Sequence, residues 1–484
     1  MHGFLTMGYC FVFFVSFAFA LSAPAEPRRS SKSEVATHAS ALPRQSQRAA
    51  TKPITWPDIA PLRAQLEARG LSEAAFPSYL ERIRKTNAQR VREGDLDHLV
   101  FYLLQSTRFT SLPPIEPALS AKALVDALTD QERTAFLRDS SAPSPRVPTD
   151  VHARAAALVR ALESPGSDER LAYFREVAET SFPVRRERSA ALIREYIRAM
   201  RFVYEKEFIA QKSASPAAQV AALYRSRGLS TDTAVEAGYL VYLGLGIVKS
   251  LAAERQIRRV LIVGPGLDLA PRTALHEEGP PQSYQPWAVI DALVSLGLAR
   301  LDDLTVIAAD INPRVVGHIR RAAARPPLLT LTSEIRETAD ITLTADYRDY
   351  FKALGQGIGS VGQPATASNR LVKTVRVNEA AARALNAATI DVVTERLDTE
   401  PFDVAIATNI FPYFDDGQLT LALTNVAAML RPGGVLLHNE SRPLVGEVTE
   451  TLGVRFEQSR HATIASVRGA PPLGDSVWIH RKLR

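Results

Sequence analysis

The sequence predicts an α/β protein: a doubly wound, mostly parallel sheet preceded by an all-α domain. Two observations carry this. From about residue 260 onward, short apolar runs of β type (260–263, 305–309, 341–344, 390–394, 403–407 and 435–437) alternate with helical stretches. Such alternation buries a parallel sheet under helices on both faces. Before it, from Asp58 to about Thr231, the apolar period is helical throughout. With 484 residues, 46% hydrophobic and 23% charged, the chain is too long and too apolar for a disordered tail or a disulfide mini-protein.

The elements follow in order. Residues 4–23 carry no charged side chain, which suits the apolar part of an export signal or a segment that just spans a bilayer. Small residues at 18–20 and 23–25 favour a cleavable signal. The cations Arg28, Arg29 and Lys32 that follow favour an anchor with the body on the cytoplasmic side. Residues 1–25 are therefore expected to be a signal peptide or a membrane anchor, with the body exported in the first case and cytoplasm-facing in the second. Residues 26–57 are rich in Pro, Ser, Ala and Arg and read as a disordered basic tether.

Helical spacing then dominates. Asp58 is placed to cap a helix carrying Leu62 and Leu66 and stopped by Gly70. Leu96, Leu99, Val100, Leu103 and Leu104 form one stripe, and Leu192, Ile193, Tyr196, Ile197, Met200, Val203 and Tyr204 another. Residues 58–231 are expected to form a helical domain and 232–484 the α/β domain. Of the net charge of +6, residues 26–52 contribute +4. The body is nearly balanced, which argues against a nucleic-acid surface. Cys10 is the single cysteine, so an intrachain disulfide, a cysteine zinc cluster and a thiol redox pair are excluded. No metal site is expected.

Three motifs carry the chemistry. Four apolar residues at 260–263 run into Gly264-Pro265-Gly266, where the missing Cβ atoms let a ligand approach the backbone. A dinucleotide fingerprint needs a further glycine at 269, where the chain has Leu269. A nicotinamide-dependent dehydrogenase is thereby disfavoured. The run 305–309 ends in Asp310, with Asn312 and Pro313 after it. A carboxylate at that strand tip suits two ribose hydroxyls, its competing use being a helix cap. Last come Phe402-Asp403 at the head of a strand, Asn409 at its tip, Tyr413 just beyond, and the turn Leu430-Arg431-Pro432-Gly433-Gly434.

In this three-part order, residues 235–484 resemble the class I S-adenosylmethionine-dependent methyltransferases. The resemblance implies a Rossmann-like sheet of seven strands, with 454–467 and 476–483 as the final pair and the last strand antiparallel. It makes Gly264, Pro265 and Gly266 the turn beneath the methionine moiety of S-adenosyl-L-methionine, Asp310 the ribose acid and Asn409 the residue beside the sulfonium. The superfamily often has an acid where this chain has Ile262 and a small residue where it has Asp268, so Asp268 is a candidate partner for the cofactor's ammonium. The adenine-contacting acid is sought at Asp346 or within residues 391–398, and Asp346 is preferred. Tyr413 and Glu440 join Asn409 as candidate catalytic residues, with His438 and His461 as other potential bases and Tyr284 and Trp287 as potential pocket aromatics. The acceptor, a small molecule or a protein carboxylate or hydroxyl, is not legible. The alternative function is a non-catalytic binding protein of the same fold, exported or membrane-tethered.

Overall fold

The computed structural model describes residues 50–138, 145–269, 280–367 and 369–483. The expected signal or anchor at 1–25 and most of the tether lie outside them. Among the described residues no helix is long and apolar enough to cross a membrane.

The end of the expected tether is built into the fold. Thr51–Pro53 pairs antiparallel with Glu395–Leu397, and Ile54 and Trp56 are buried. Thr55, rather than Asp58, caps the turn that follows. Asp58 sits three residues into it and accepts the Thr55 N–H at 2.7 Å, completing a capping box. Helices then succeed one another, among them α1 (Phe76–Gln105), α2 (Pro216–Ser226) and α3 (Val235–Leu251).

The main sheet contains β1 (Arg259–Val263), β2 (Thr305–Asp310), β3 (Ile341–Leu343), β4 (Leu385–Thr389), β5 (Phe402–Ala407), β6 (Leu430–His438), β7 (Val454–Val467) and β8 (Ala470–Lys482). Across the sheet they run β3-β7-β8-β6-β5-β1-β2-β4. Strands β4, β2, β1, β5 and β6 are parallel, whereas β8, β7 and β3 join antiparallel. Three expectations are corrected. Residues 341–344 supply only a short edge strand, because their neighbour is β7. The third parallel strand is β4, whose Leu-Asn-Ala-Ala-Thr sequence lacks the long apolar run looked for, and 390–394 is the turn beyond it. The final strand, expected over 476–483, is longer, β8 running from Ala470 to Lys482 inside the sheet between β6 and β7.

Alternation along β1 shows how the two faces are covered. Val260 and Ile262 belong to one hydrophobic cluster with Leu99, Leu103, Tyr196, Leu245 and Trp287. Leu261 and Val263 belong to another with Trp56, Ile59, Leu80, Leu419 and Val448. The period of two sends successive side chains to opposite faces. The helical half therefore shares one continuous core with the sheet on the first face, and the segment from Ile54 to Ile83 closes the second. Asp403 ties down the entrance of β1 by accepting the Arg258 and Arg259 N–H groups at 2.7 and 2.8 Å.

Candidate functional site

At the carboxyl edge of the parallel strands lies a cleft enclosing about 1580 Å³, mouth included. Its floor follows from strand order. Asp391 follows the tip of β4, Asp310 ends β2, Gly264 and Gly266 follow β1, and Thr408 and Asn409 follow β5; all line the cleft. Asp475 of β8 and Ile464 of β7 extend the wall beyond them. Its roof comes from the helical half, with Asn87 and Val91 of α1, Tyr224 of α2, and the stretch 229–234.

The glycine turn is as tight as the sequence suggested. Gly264 and Gly266 have φ of +68° and +74°. A Cβ on Gly264 would lie 2.3 Å from Ile410 Cγ2, and one on Gly266 would lie 2.0 Å from Thr233 Oγ1 and 2.5 Å from the Thr231 carbonyl oxygen. Pro265 is buried between them. The turn is laced to the roof, since Leu267 N–H donates to the Thr231 carbonyl at 2.7 Å and the Thr231 hydroxyl donates to the Leu267 carbonyl at 2.9 Å. Thr231 N–H in turn donates to His98 Nε2 at 3.1 Å. That bond leaves the imidazole proton on Nδ1, 3.5 Å from Asp232 Oδ1.

Asp310 is 7% exposed. Burial pushes its pKa from 3.8 up to about 7, although N–H groups of Asn312, Gly266 and Ile311 donate to it. The competing role for Asp310, capping the next helix, belongs to Asn312, whose Oδ1 accepts the Arg314 N–H at 2.9 Å. Asn312 Nδ2 donates to Asp95 on α1 at 2.9 Å, and Arg314 pairs with the same acid at 2.9 Å. The buried carboxylate of Asp95 thus clamps the β2 tip to the helical half.

Asn409 stands where expected, with φ of +62°. A non-glycine residue held there is strained, and such strain gathers at functional sites. Asn439 enforces it by accepting the Asn409 N–H at 2.9 Å and donating to its side-chain oxygen at 2.6 Å. Tyr413 lines the cleft against Tyr224 and beneath the Arg90 guanidinium, and burial raises its phenol pKa. The phenol stays protonated at neutral pH, so it is no general base.

Seven candidates are not brought to the site. Asp268 does not line the cleft and forms an isolated β-bridge with Gln282, whereas Asp232, in the stretch laced to the glycine turn, does line it. Asp346 is exposed in the first turn of the helix Ala345–Ala353, after edge strand β3 and at the opposite side of the sheet from β4. The acid at the third parallel strand is Asp391, which accepts the Asn87 side-chain amide at 3.0 Å and whose pKa burial raises. Glu440 is buried against Arg442, 3.1 Å away, and lies outside the cleft. His438 stacks on Trp478 beside His480, and burial lowers its pKa well below the usual value. His461 is exposed and contacts Ser476 at 3.1 Å. Tyr284 and Trp287 are core packing.

Running β4-β2-β1-β5-β6-β8-β7, with the last inserted strand antiparallel, the sheet has the order that the resemblance requires. The C-terminal half has the class I methyltransferase fold. Solved structures that match about half of the chain include three methyltransferases. The magnesium protoporphyrin IX methyltransferase from Synechocystis PCC 6803 is 8% identical, covering 51% of this chain and 80% of its own at a TM-score of 0.27. A TehB-like methyltransferase from Corynebacterium glutamicum is 12% identical over 49% and 87%, with a TM-score of 0.26. The N-methyltransferase NodS from Bradyrhizobium japonicum is 14% identical over 50% and 86%, also at 0.26. No family model and no curated protein matches.

Proposed function

We propose that the protein transfers a methyl group from S-adenosyl-L-methionine to an acceptor bound in the same cleft. The observation that carries the reading is the convergence of the glycine turn with Asp310, Asp391 and Asn409 on one cavity. The residues present fit that cofactor. Glycine at 264 and 266, at φ of +68° and +74°, leaves the turn that lines the cleft without side chains. Asp310 and Asp391 offer carboxylate oxygens to a nucleoside, and the charged side chains lining the cleft, among the described residues, are all acids, matching a cationic sulfonium.

When bound, the cofactor supplies a methyl group already activated by its sulfonium. Asp310 would hold the ribose hydroxyls, and Asp391 with Asn87 would hold the adenine end. Asn409, locked by Asn439, would stand beside the reacting centre, and Asp232 and Thr233 would face the methionine end. The roof of α1, Tyr224 and residues 229–234 keeps water out and fixes the acceptor in line. Positioning of this kind can supply several kcal/mol of the barrier reduction, on the order of 7–11 at most. Calorimetric titration of the full chain with S-adenosylhomocysteine tests the reading. Binding at micromolar concentration is expected, and a folded sample giving no heat at tens of micromolar contradicts it.

A further inference from the structure

The cleft is lined by Asp232, Glu236, Asp310, Glu334, Asp391 and Asp475, and among the described residues no Lys, Arg or His lines it. In a chain of net charge +6, a cleft with acids alone is a local decision of the fold. Three of these acids are engaged elsewhere. Asp310 and Asp391 lie at the nucleoside end, and Asp232 faces His98. The other three are Glu236, Glu334 and Asp475, the last accepting the Asn439 side-chain amide at 2.8 Å. Asp475 is on β8, beyond Asn409 along the sheet edge, and α3, which carries Glu236, packs over β7 and β8. They mark the end of the cleft past the reacting centre.

Two buried acceptor atoms there lack a donor. Glu236 is 3% exposed. Its Oε1 accepts from the Ser333 hydroxyl, the Glu334 N–H and the Tyr347 hydroxyl at 2.9, 3.0 and 2.9 Å, while its Oε2 has no partner. Gln285 is 1% exposed. Its Nε2 donates to Thr408 Oγ1 at 2.7 Å, and its Oε1 has no partner. Buried polar atoms are rarely left unmatched in a native fold. Within one cleft, an unmatched carboxylate oxygen and an unmatched amide oxygen ask for N–H donors and positive charge. A carboxylate or phosphate brings neither, and a hydroxyl brings one donor and no charge.

We infer that the methyl acceptor is an amine, a cationic small molecule or side chain whose nitrogen sits between Glu236 and Gln285. This rests on the methyl-transfer reading and names its substrate class. An alkylammonium enters, and one proton passes to a cleft carboxylate or to water, freeing the nitrogen lone pair. That pair forms the N–C bond as the C–S bond breaks and its electrons go to sulfur. The N-methylammonium leaves with S-adenosylhomocysteine, and one proton is released in all. The carboxylate and phosphate acceptor classes are disfavoured by the same three acids.

The test is calorimetry on the full chain saturated with S-adenosylhomocysteine, with spermidine and n-butylamine as amine probes and glutarate as the anionic one. Heat with at least one amine and none with glutarate is expected. Glu236→Gln should weaken the amine at least five-fold and leave S-adenosylhomocysteine within two-fold of the parent. If that variant does not fold, Glu334→Gln takes its place, and Asp346→Asn, outside the cleft, should change neither ligand. Silence from both amines with S-adenosylhomocysteine bound, binding of glutarate, or amine affinity unchanged in the folded variant overturns the amine assignment and leaves methyl transfer standing. No S-adenosylhomocysteine binding by the folded parent overturns both.

Discussion

Asp310 gives the proposed site a pH signature. Its carboxyl is held at a pKa of about 7 against 3.8 in the open chain, through burial opposed by three backbone donors and assisted by the nearby charge of Asp95. Between pH 4 and 7 the folded protein therefore binds a proton that the unfolded chain does not. The stability this gives is fully present below pH 4 and is lost as pH rises through 7. Three pK units correspond to about 4 kcal/mol at most. Ribose hydroxyls donating to the ionised form pull the other way, so nucleoside binding expels the proton. Affinity for S-adenosylhomocysteine should be level above pH 8 and fall by up to ten-fold per unit below 7, or about 30-fold at pH 5.5. Calorimetry in buffers of different ionisation enthalpy counts the proton directly: about one released per ligand near pH 6, and close to none at pH 8.5. Asp310→Asn removes the slope and weakens binding at pH 8, yet raises the melting temperature there, because the cost of an ionised buried carboxyl is gone. A level affinity profile in the parent, or the same slope in the Asn variant, refutes the role given to Asp310.

Other substitutions separate site from scaffold. Gly266→Ala places a methyl group against the Thr231 carbonyl at a φ of +74°; the left-handed backbone alone costs about 1–2 kcal/mol, so a lower melting temperature and loss of S-adenosylhomocysteine binding are expected together. Asp391→Ala should weaken S-adenosylhomocysteine by roughly 1–3 kcal/mol, with Asp346→Ala within error of the parent in the same titration; equal effects would return the adenine contact to Asp346. Trp56→Ala should cost about 3–5 kcal/mol in chemical denaturation, because Trp56 is 5% exposed beneath the sheet, whereas an unchanged midpoint would make residues 51–62 a dispensable tether.

What was legible in the sequence was what the backbone demands. The run into Gly264 and Gly266, the acid ending β2 and the Phe402-Asp403 entrance of β5 each sit on a fully buried strand, where apolar composition and glycine placement leave little choice. Strand β4 escaped because Leu385–Thr389 is short and alanine-rich, flanked by the helix Glu379–Ala384. Without it, Asp346 looked like the third strand tip, and Asp391 looked like part of a strand. Glu440 and His438 sit near a strand's carboxyl end in sequence, but Arg442 and Trp478 hold them outside the cleft. Asn87, Asp232, Glu236 and Gln285 belong to helices and a connector whose pattern reports only burial. Their role depends on how α1 and α3 lie over the sheet, which no local period encodes. The nearest sequence signal was polarity on apolar elements: Asn87 and Asp95 on the packed face of α1, and Glu236 opening a helix otherwise almost wholly apolar.

The most direct measurement is an experimental structure of the full chain with S-adenosylhomocysteine. The expected result has both ribose hydroxyls on Asp310, the adenine beside Asp391, the amino-acid end over Gly264 and Gly266, and the sulfur facing Asn409. A ligand seated away from Asp310, or a cleft closed by Tyr413 and Ile410 with no room for a nucleoside, would contradict it.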